Sequence, residues 1–560
     1  MKNIFRFKEL PVLLGLFLIL FFSYFGLRES YFRQDEWASL GQVLSVGPFH
    51  FLSSMSPMRL LTGELRPLGT IANNLLHYLF PFQVWPFVVF GVVFHWVNSA
   101  LVYLLVKRLT KNFRMAVVAS VFFASVFNAS QSITWFAAVT TILPCTTFFL
   151  LFLICFIDYG ERKNRNLILF SYVFLYVSIL FKESALFGLL LVPIMVILFY
   201  KKELMRKQFV LFFAGPALFL GTLLAVRSIG LSGQEGKVTG FATSGGQLIP
   251  KLLTHTLTYP LTSFSQLFIP RQIMFHLSAL YQTSQYAFVS NSLMQSSLLE
   301  NVTSDILSIL FTCVFLVLCF IIFARKIVSR RVILFSVIIS LFSFFPYVLI
   351  NKGTSYLDSR YYYIGEIGAS IIAAMFVEAA LSLLKKYNPV IRLAFCACVY
   401  LFFAIYIYKQ IIFIRRDIQA LKREASVQES LLKSFVAIAP DLGSKPVIYI
   451  TGNHTYYGVD NLYVPLQAGP AYIFMVMYHN SHSVPKPLLS QGFLLDVRFE
   501  DYKEVNGEGF GYYTRFDSLH AAYEHNVFNP GQLHAFYYDS DTYKVTDVTE
   551  ETIKKLQTSD

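Results

Sequence analysis

Long apolar runs separated by short polar or basic stretches dominate the first three quarters of the chain. They fall near residues 10–27, 83–106, 114–128, 132–157, 166–181, 184–200, 208–228, 304–324, 332–350, 362–384 and 391–413. An α-helix crosses the hydrocarbon core in roughly 20 residues, so the pattern predicts a bundle of about eleven transmembrane helices. Beyond residue 414 the pattern changes. A helical stretch at about 416–438 is followed by short apolar segments such as KPVIYITG (445–452), bounded by Gly, Asn and Pro, which read as strands and turns. The expected fold class is an all-α polytopic membrane bundle (1–414) with a small α/β domain (415–560).

Composition agrees and charge adds orientation. Of 560 residues, 55% are hydrophobic and only 14% charged, against roughly 25% charged in soluble proteins, which excludes a soluble enzyme and a disordered chain. Residues 1–414 carry 33 Lys and Arg against 15 Asp and Glu, whereas 415–560 carry 13 against 18. The basic excess therefore belongs to the membrane part and is no sign of a nucleic-acid partner. The basic loops KRLTKNFR (107–114), ERKNRN (161–166), KKELMRK (201–207), ARKIVSRR (324–331) and KKYNPVIR (385–392) follow runs two, four, six, eight and ten. All fall on the side of the basic N-terminus MKNIFRFK, as the positive-inside rule requires. The expectation is a multi-pass protein of the plasma (inner) membrane, with a cytoplasmic N-terminus and an extracytoplasmic tail. The principal outer loops would be 28–82 and 230–303. In the second, Pro250, Pro260 and Pro270 punctuate short interfacial helices. The cluster RRDIQALKR (415–423) is the one that dissents, and it reads as the start of an amphipathic helix at the outer interface. The six cysteines all lie in apolar runs and read as small buried residues rather than disulfides or metal ligands.

Four polar constellations fall on the outer side. Asp35 and Glu36, just past the first run, form a carboxylate pair that can deprotonate a hydroxyl; a solvated helix start is the alternative. Arg66, held beside Pro67, suits a phosphate or carboxylate, or is simply an interfacial arginine. Lys182 and Glu183 interrupt the apolar stretch 167–200 at a depth where charge is costly, unless they mark a plain turn. Arg360 with Tyr361, in DSRYYYIGEIG (358–368), would hold a phosphate beside an aromatic face. The three tyrosines would offer aromatic faces to a sugar or lipid, with an ordinary interfacial aromatic belt as the alternative for Tyr362 and Tyr363. His95 and Asn98, three residues apart on one helical face, read first as interhelical hydrogen-bonding groups. Together the set suits a reaction on an anionic, membrane-bound substrate.

The order and wording of these motifs resemble the GT-C superfamily of polyprenyl-phosphate-sugar-dependent membrane glycosyltransferases. Within it the likeness is to bacterial relatives of the protein O-mannosyltransferases and of the TPR-containing O-mannosyltransferases. The pieces that carry it are Asp35-Glu36, residues 66–109, SITWFAAVTTIL (132–143), FKESALFGLLLVP (181–193) and residues 358–368. The acidic pair reads Asp-Glu where the TPR-bearing relatives show Asp-Asp, FNASQSITW lacks their His-Pro, and no TPR-like repeat follows. The resemblance implies a GT-C-like bundle and an inverting transfer in which an acceptor hydroxyl attacks C1 of a sugar carried on a polyprenyl phosphate. Asp35 would be the base with Glu36 beside it. Arg360, Lys182 and Arg66 would receive the leaving phosphate, with Glu183 positioning Lys182 and Tyr361, His95 and Asn98 in support. The implied partners are the lipid-linked sugar donor, membrane lipid, and a protein, lipid or glycan acceptor in the cell envelope. No cofactor is required by this scheme, and a divalent cation at Asp35-Glu36 is an alternative to metal-free catalysis. The rival reading is a polytopic transporter or flippase of a lipid-linked or anionic solute, which would want ionisable groups near the midplane and inverted repeats.

Overall fold

The computed structural model describes residues 9–33, 35–49, 52, 66–200, 210–222, 248–285, 293–348, 359–383, 387–453, 470–479, 500–505, 507–539 and 541–558. The basic N-terminus, the loop 201–207, Asp358 and the whole Gly/Ser-rich stretch 230–247 lie outside the described residues.

In chain order the helices up to the tail are α1 (Leu10–Tyr24), α2 (Asp35–Val46), α3 (Pro67–Leu79), α4 (Trp85–Thr110), α5 (Phe113–Ser125), α6 (Gln131–Thr134), α7 (Phe136–Arg162), α8 (Arg165–Phe181) and α9 (Phe187–Phe199). After them come α10 (Leu248–Phe264), α11 (Arg271–Gln285), α12 (Leu293–Ala324), α13 (Arg330–Phe342), α14 (Phe345–Val348), α15 (Gly365–Leu383) and α16 (Pro389–Ile438). Among the described residues each apolar run read from the sequence is mostly helical. Among the described residues seven helices are long and apolar enough to cross a membrane, and α5 with the segment Phe127–Thr134 adds an eighth bent by 52°. The apolar helices Arg165–Phe181, Glu183–Phe199 and Val210–Thr222 are shorter; seventeen residues rise about 25 Å, a little less than a hydrocarbon core of about 30 Å. The protein is an integral membrane protein, mostly helical.

Two compact units emerge, each described here by itself. The first takes in Met1–Phe25, Met55–Thr70 and Val88–Arg416. One end of it is tied by ion pairs: Lys107 at the end of α4 to Glu9 before α1, Arg108 to Asp158 with both carboxylate oxygens at 2.6 and 2.7 Å, and Lys111 to Glu161 at 3.0 Å. These join the start of α1 to the basic loops 107–114 and 161–166, which the loop-charge argument had put on one side. In its interior α13 and α15 meet along small residues. A Cβ on Gly368 would lie 2.3 Å from Ser340 Oγ and 2.4 Å from Ser336 O, so only glycine permits this approach. The bend after α5 comes where polar Asn128, Ser130 and Ser132 offer the backbone alternatives to helical bonding. The backbone N–H of Phe127 freed there donates to Gln410 Oε1 of α16 at 2.9 Å, and Asn128 donates to Ile269 O at 3.0 Å.

The second unit gathers Gly26–Ser54, Ile71–Phe87 and Asp417–Asp560. Its α16 portion does not start a new helix at 415: the helix that leaves the apolar run continues unbroken to Ile438. No Gly or Pro stands between Val390 and Ala439 to stop it. A five-stranded sheet follows, with β1 (Val447–Gly452), β2 (Asp501–Val505), β3 (Glu508–Tyr513), β4 (Leu533–Asp539) and β5 (Lys544–Asp547) in the order β2-β3-β1-β4-β5. Central β1 runs parallel to β3 and β4, and the edge strands are antiparallel. Helices α17 (Pro470–Met477), α18 (Phe516–Glu524) and α19 (Thr549–Thr558) complete the tail. Alternate residues Val447, Tyr449, Leu533 and Ala535 pack with Leu519 of α18 and Leu556 of α19. On β4, Phe536 packs instead against Phe435 of α16, which also meets Phe474 of α17. The small α/β tail expected from the sequence is thus a two-faced sheet with helices on both sides.

Candidate functional site

In the first unit the break between α8 and α9 sets the geometry. Lys182 caps α8 with an extended backbone (φ −160°, ψ 134°), and Glu183 opens a single 3₁₀ turn. Arg66, immediately before Pro67 at the first position of α3, places its Nε 3.4 Å from Glu183 Oε2. The Lys182 side chain is buried, and its Nζ lies 5.7 Å from the centre of the Tyr361 ring. The guanidinium of Arg360 stacks on two rings, 4.4 Å from Trp135 and 5.1 Å from Tyr361. Tyr361 in turn packs on Tyr347 at 4.4 Å, and Tyr347 is hydrogen-bonded to Ser184. The structure therefore brings together Arg66, Lys182, Glu183, Arg360 and Tyr361, which the sequence scatters over nearly 300 positions.

Three cations against one carboxylate make a positive site. Lys182 lies between the apolar helices, not within one. Burial pulls its ammonium down to about 8; the Glu183 carboxylate pushes the other way, and Arg66 and Arg360 add to the fall. A buried cation with two cationic neighbours gains most when an anion arrives. The segment carrying Arg360 is pinned from α6: the Arg360 N–H donates to Gln131 Oε1 at 3.3 Å, and Ser132 Oγ donates to Arg360 O at 3.2 Å.

The three consecutive tyrosines point three ways. Tyr362 is buried and donates to Gln266 Oε1 at 2.8 Å. Tyr363 is fully buried, with its hydroxyl 2.6 Å from His95 Nδ1 and accepting from Asn98 Nδ2 at 3.1 Å. These two are internal pegs, not the interfacial belt the sequence suggested: a tight 3₁₀ turn over Ser359–Tyr362 carries them inward. His95 and Asn98 share that network with Thr147, which donates to Asn98 Oδ1 at 2.6 Å. They join helices.

The acid pair belongs to the second unit. Asp35 opens α2, and its side chain is outside the described part of the structure. Glu36 is fully buried; its Oε2 accepts the Arg33 N–H at 2.7 Å while its own N–H donates to Arg33 O at 2.9 Å. Glu36 is thus engaged at the helix start. Trp37, also buried, donates from Nε1 to Phe32 O at 3.0 Å. Lys422 of α16 forms an ion pair with Glu29, and α2 packs on α17. His77 of α3 sits between Phe32 and Phe87 with ring centres 5.3 and 4.8 Å away, and burial lowers it to about 3, so it is a neutral ring.

Sequence reasoning missed Trp135, Tyr347 and Gln131 as parts of the cation cluster. Their signal was faint: Trp135 alone stood out, as an aromatic residue at the end of a polar break. Among the described residues no three His, Cys, Asp or Glu side chains converge in the manner of a metal site.

No protein-family model matches the chain, and no curated protein matches it. Among solved structures the chain is similar to ArnT from Cupriavidus metallidurans bound to undecaprenyl phosphate, at 13% identity and a TM-score of 0.42, covering 96% of this chain and 94% of that one. The apo state of the same protein aligns at 14% identity and a TM-score of 0.37 over the same shares. Likeness at that level assigns no residue and no substrate.

Proposed function

We propose that the chain is an inverting membrane glycosyltransferase that moves a sugar from a polyprenyl-phosphate donor to an acceptor hydroxyl at the outer face of the membrane. The observation that carries this reading is the cluster of Arg66, buried Lys182 and Arg360 about an aromatic wall, at the break between two apolar helices. A site of that kind suits a phosphate attached to a lipid. The motif order shared with the GT-C superfamily supports the same chemistry.

In the proposed step Asp35 takes the acceptor hydroxyl proton as the oxygen attacks C1 of the sugar. The bond from C1 to the phosphate oxygen breaks, its electron pair leaves with the lipid phosphate, and the anomeric configuration inverts. Negative charge grows on the leaving phosphate, where preorganised cations are most effective: Lys182 and Arg360 bind it first, with Arg66 third. Glu183 holds Arg66 and sustains the charge of Lys182. The loop charges support a cytoplasmic N-terminus and an extracytoplasmic tail. The acceptor is a protein, lipid or glycan hydroxyl, protein O-mannosylation being one such case. A divalent cation would find a ligand in the Asp35-Glu36 pair.

The test is transfer by purified protein in nanodiscs, with short-chain polyprenyl-phosphate sugars and release of free polyprenyl phosphate as the readout. Asp35→Asn is expected to abolish release with normal insertion; release at the wild-type rate from that variant refutes the role of Asp35. One observation favours a second reading, transport of a lipid-linked or anionic solute: Glu366 in α15 is fully buried, and neither carboxyl oxygen has a hydrogen-bond partner among the described residues. Intramembrane acids of this kind mark transport pathways. Lipid flipping in proteoliposomes that Glu366→Gln stops, without any sugar release, would establish that reading instead.

A further inference from the structure

Trp135, between α6 and α7, meets the cation cluster with its ring. It ends α6 and precedes α7 with an extended backbone (φ −107°, ψ 104°), so neither helix includes it and its ring projects from the break. The indole lies 4.4 Å beneath the Arg360 guanidinium carbon, closer than Tyr361 on the other contact. The same junction fixes the Arg360 backbone on both sides, through Gln131 to its N–H and Ser132 to its carbonyl. Main chain and side chain of Arg360 are therefore held by three residues within five positions, all more than 220 residues away in sequence. A π face holds a guanidinium without neutralising it, which a carboxylate would do.

We propose that Trp135 is a positioning residue for donor binding: its ring orients the Arg360 guanidinium for the phosphate while leaving the full charge in place. The inference rests on the reading of Arg360 as a phosphate ligand. It predicts coupling between the two residues, which a merely structural tryptophan would not show.

The experiment is binding of a short-chain polyprenyl monophosphate to the full-length protein in nanodiscs, for the wild type, W135F, W135L, R360A and W135L/R360A. A cation–π contact shielded from water is worth up to a factor of about 30, so W135L is expected to bind roughly tenfold more weakly. W135F, which keeps a smaller π face, recovers most of that loss. In the R360A background W135L costs nothing further, the signature of one shared interaction. Equal losses from W135L with and without Arg360, or no recovery by W135F, overturn the proposal. Should W135L fail to insert, a graded series of W135F, W135Y and W135H decides the matter, because affinity must follow the strength of the π face; a flat series overturns it. Wild-type affinity in R360A removes the phosphate role of Arg360 and the inference with it. Failure of W135L alone to weaken binding removes the inference and leaves that role standing.

Discussion

Replacing Lys182 with methionine tests the cation cluster most directly, because the structure supplies the magnitude. The ammonium sits at about 8 rather than 10.5, chiefly through burial, so its charge is lost within an accessible range. At pH 7.5 about three quarters of unliganded molecules carry the charge, and at pH 9.5 about three in a hundred. If a bound phosphate requires charged Lys182, affinity for a polyprenyl monophosphate falls about 25-fold over that window, or ~1.9 kcal/mol. The sign is fixed: the group binds its proton more weakly in the empty protein than with an anion beside it, so binding weakens as pH rises. The ligand does not confuse the result, since a phosphate monoester with a second pKa of about 6 is already a dianion throughout. The assay is equilibrium binding in phosphatidylcholine nanodiscs, where the headgroup does not titrate. Lys182→Met is expected to bind more weakly at pH 7.5 and to show little slope, converging on the wild type near pH 9.5. Glu183→Gln removes the neighbour that sustains the charge, so its fall begins at lower pH. A wild-type profile that is flat, or that runs parallel to Lys182→Met, refutes the assignment of Lys182 to the phosphate.

Two further predictions concern the bundle itself. Gly368→Ala forces a methyl group into Ser340 and the backbone of Ser336; separating α13 from α15 is expected to lower stability by about 2 kcal/mol or more, within the range of an overpacked core, read as a loss of thermal stability in detergent, and an unchanged melting temperature would refute the close contact. Arg108→Met strands Asp158, whose side chain is only 9% exposed, with Arg162 at 3.7 Å as its remaining partner; the expected loss is about 3 kcal/mol, checked by the same melt, and Asp158→Asn in the Arg108→Met background should restore part of it.

Much of the architecture was legible because bilayer length and hydrophobic runs speak the same language. The interruption at Lys182-Glu183 stood out as charge inside an apolar stretch, and it is a true break between helices. KPVIYITG reads as a strand through its β-branched and aromatic residues, and it is the central strand. What did not show was anything made by distant pieces. Trp135 carries no local mark of its partner 225 positions later. Tyr362 and Tyr363 look like surface aromatics until the turn that swings them inward is known. The length of α16 was obscured for a different reason: hydropathy changes at residue 414, close to where the two compact units divide, although the helix itself runs on. Buried His77 gave no sign at all, since a histidine in a polar loop is ordinary and only the packing of Phe32 and Phe87 encloses it.

The discontinuous make-up of the second unit bears on how the protein comes into being. Residues 26–54 and 71–87 belong with residues from 417 onward, so roughly 370 residues separate the α2 segment from the partners that complete its packing. At about 5–20 residues per second of synthesis, those early segments wait roughly 20–70 s for them. Throughout that interval the acid pair has no finished surroundings. By the same logic the tail cannot be traded between relatives by a single recombination near residue 415. A chimera that keeps this unit intact has to exchange three stretches at once.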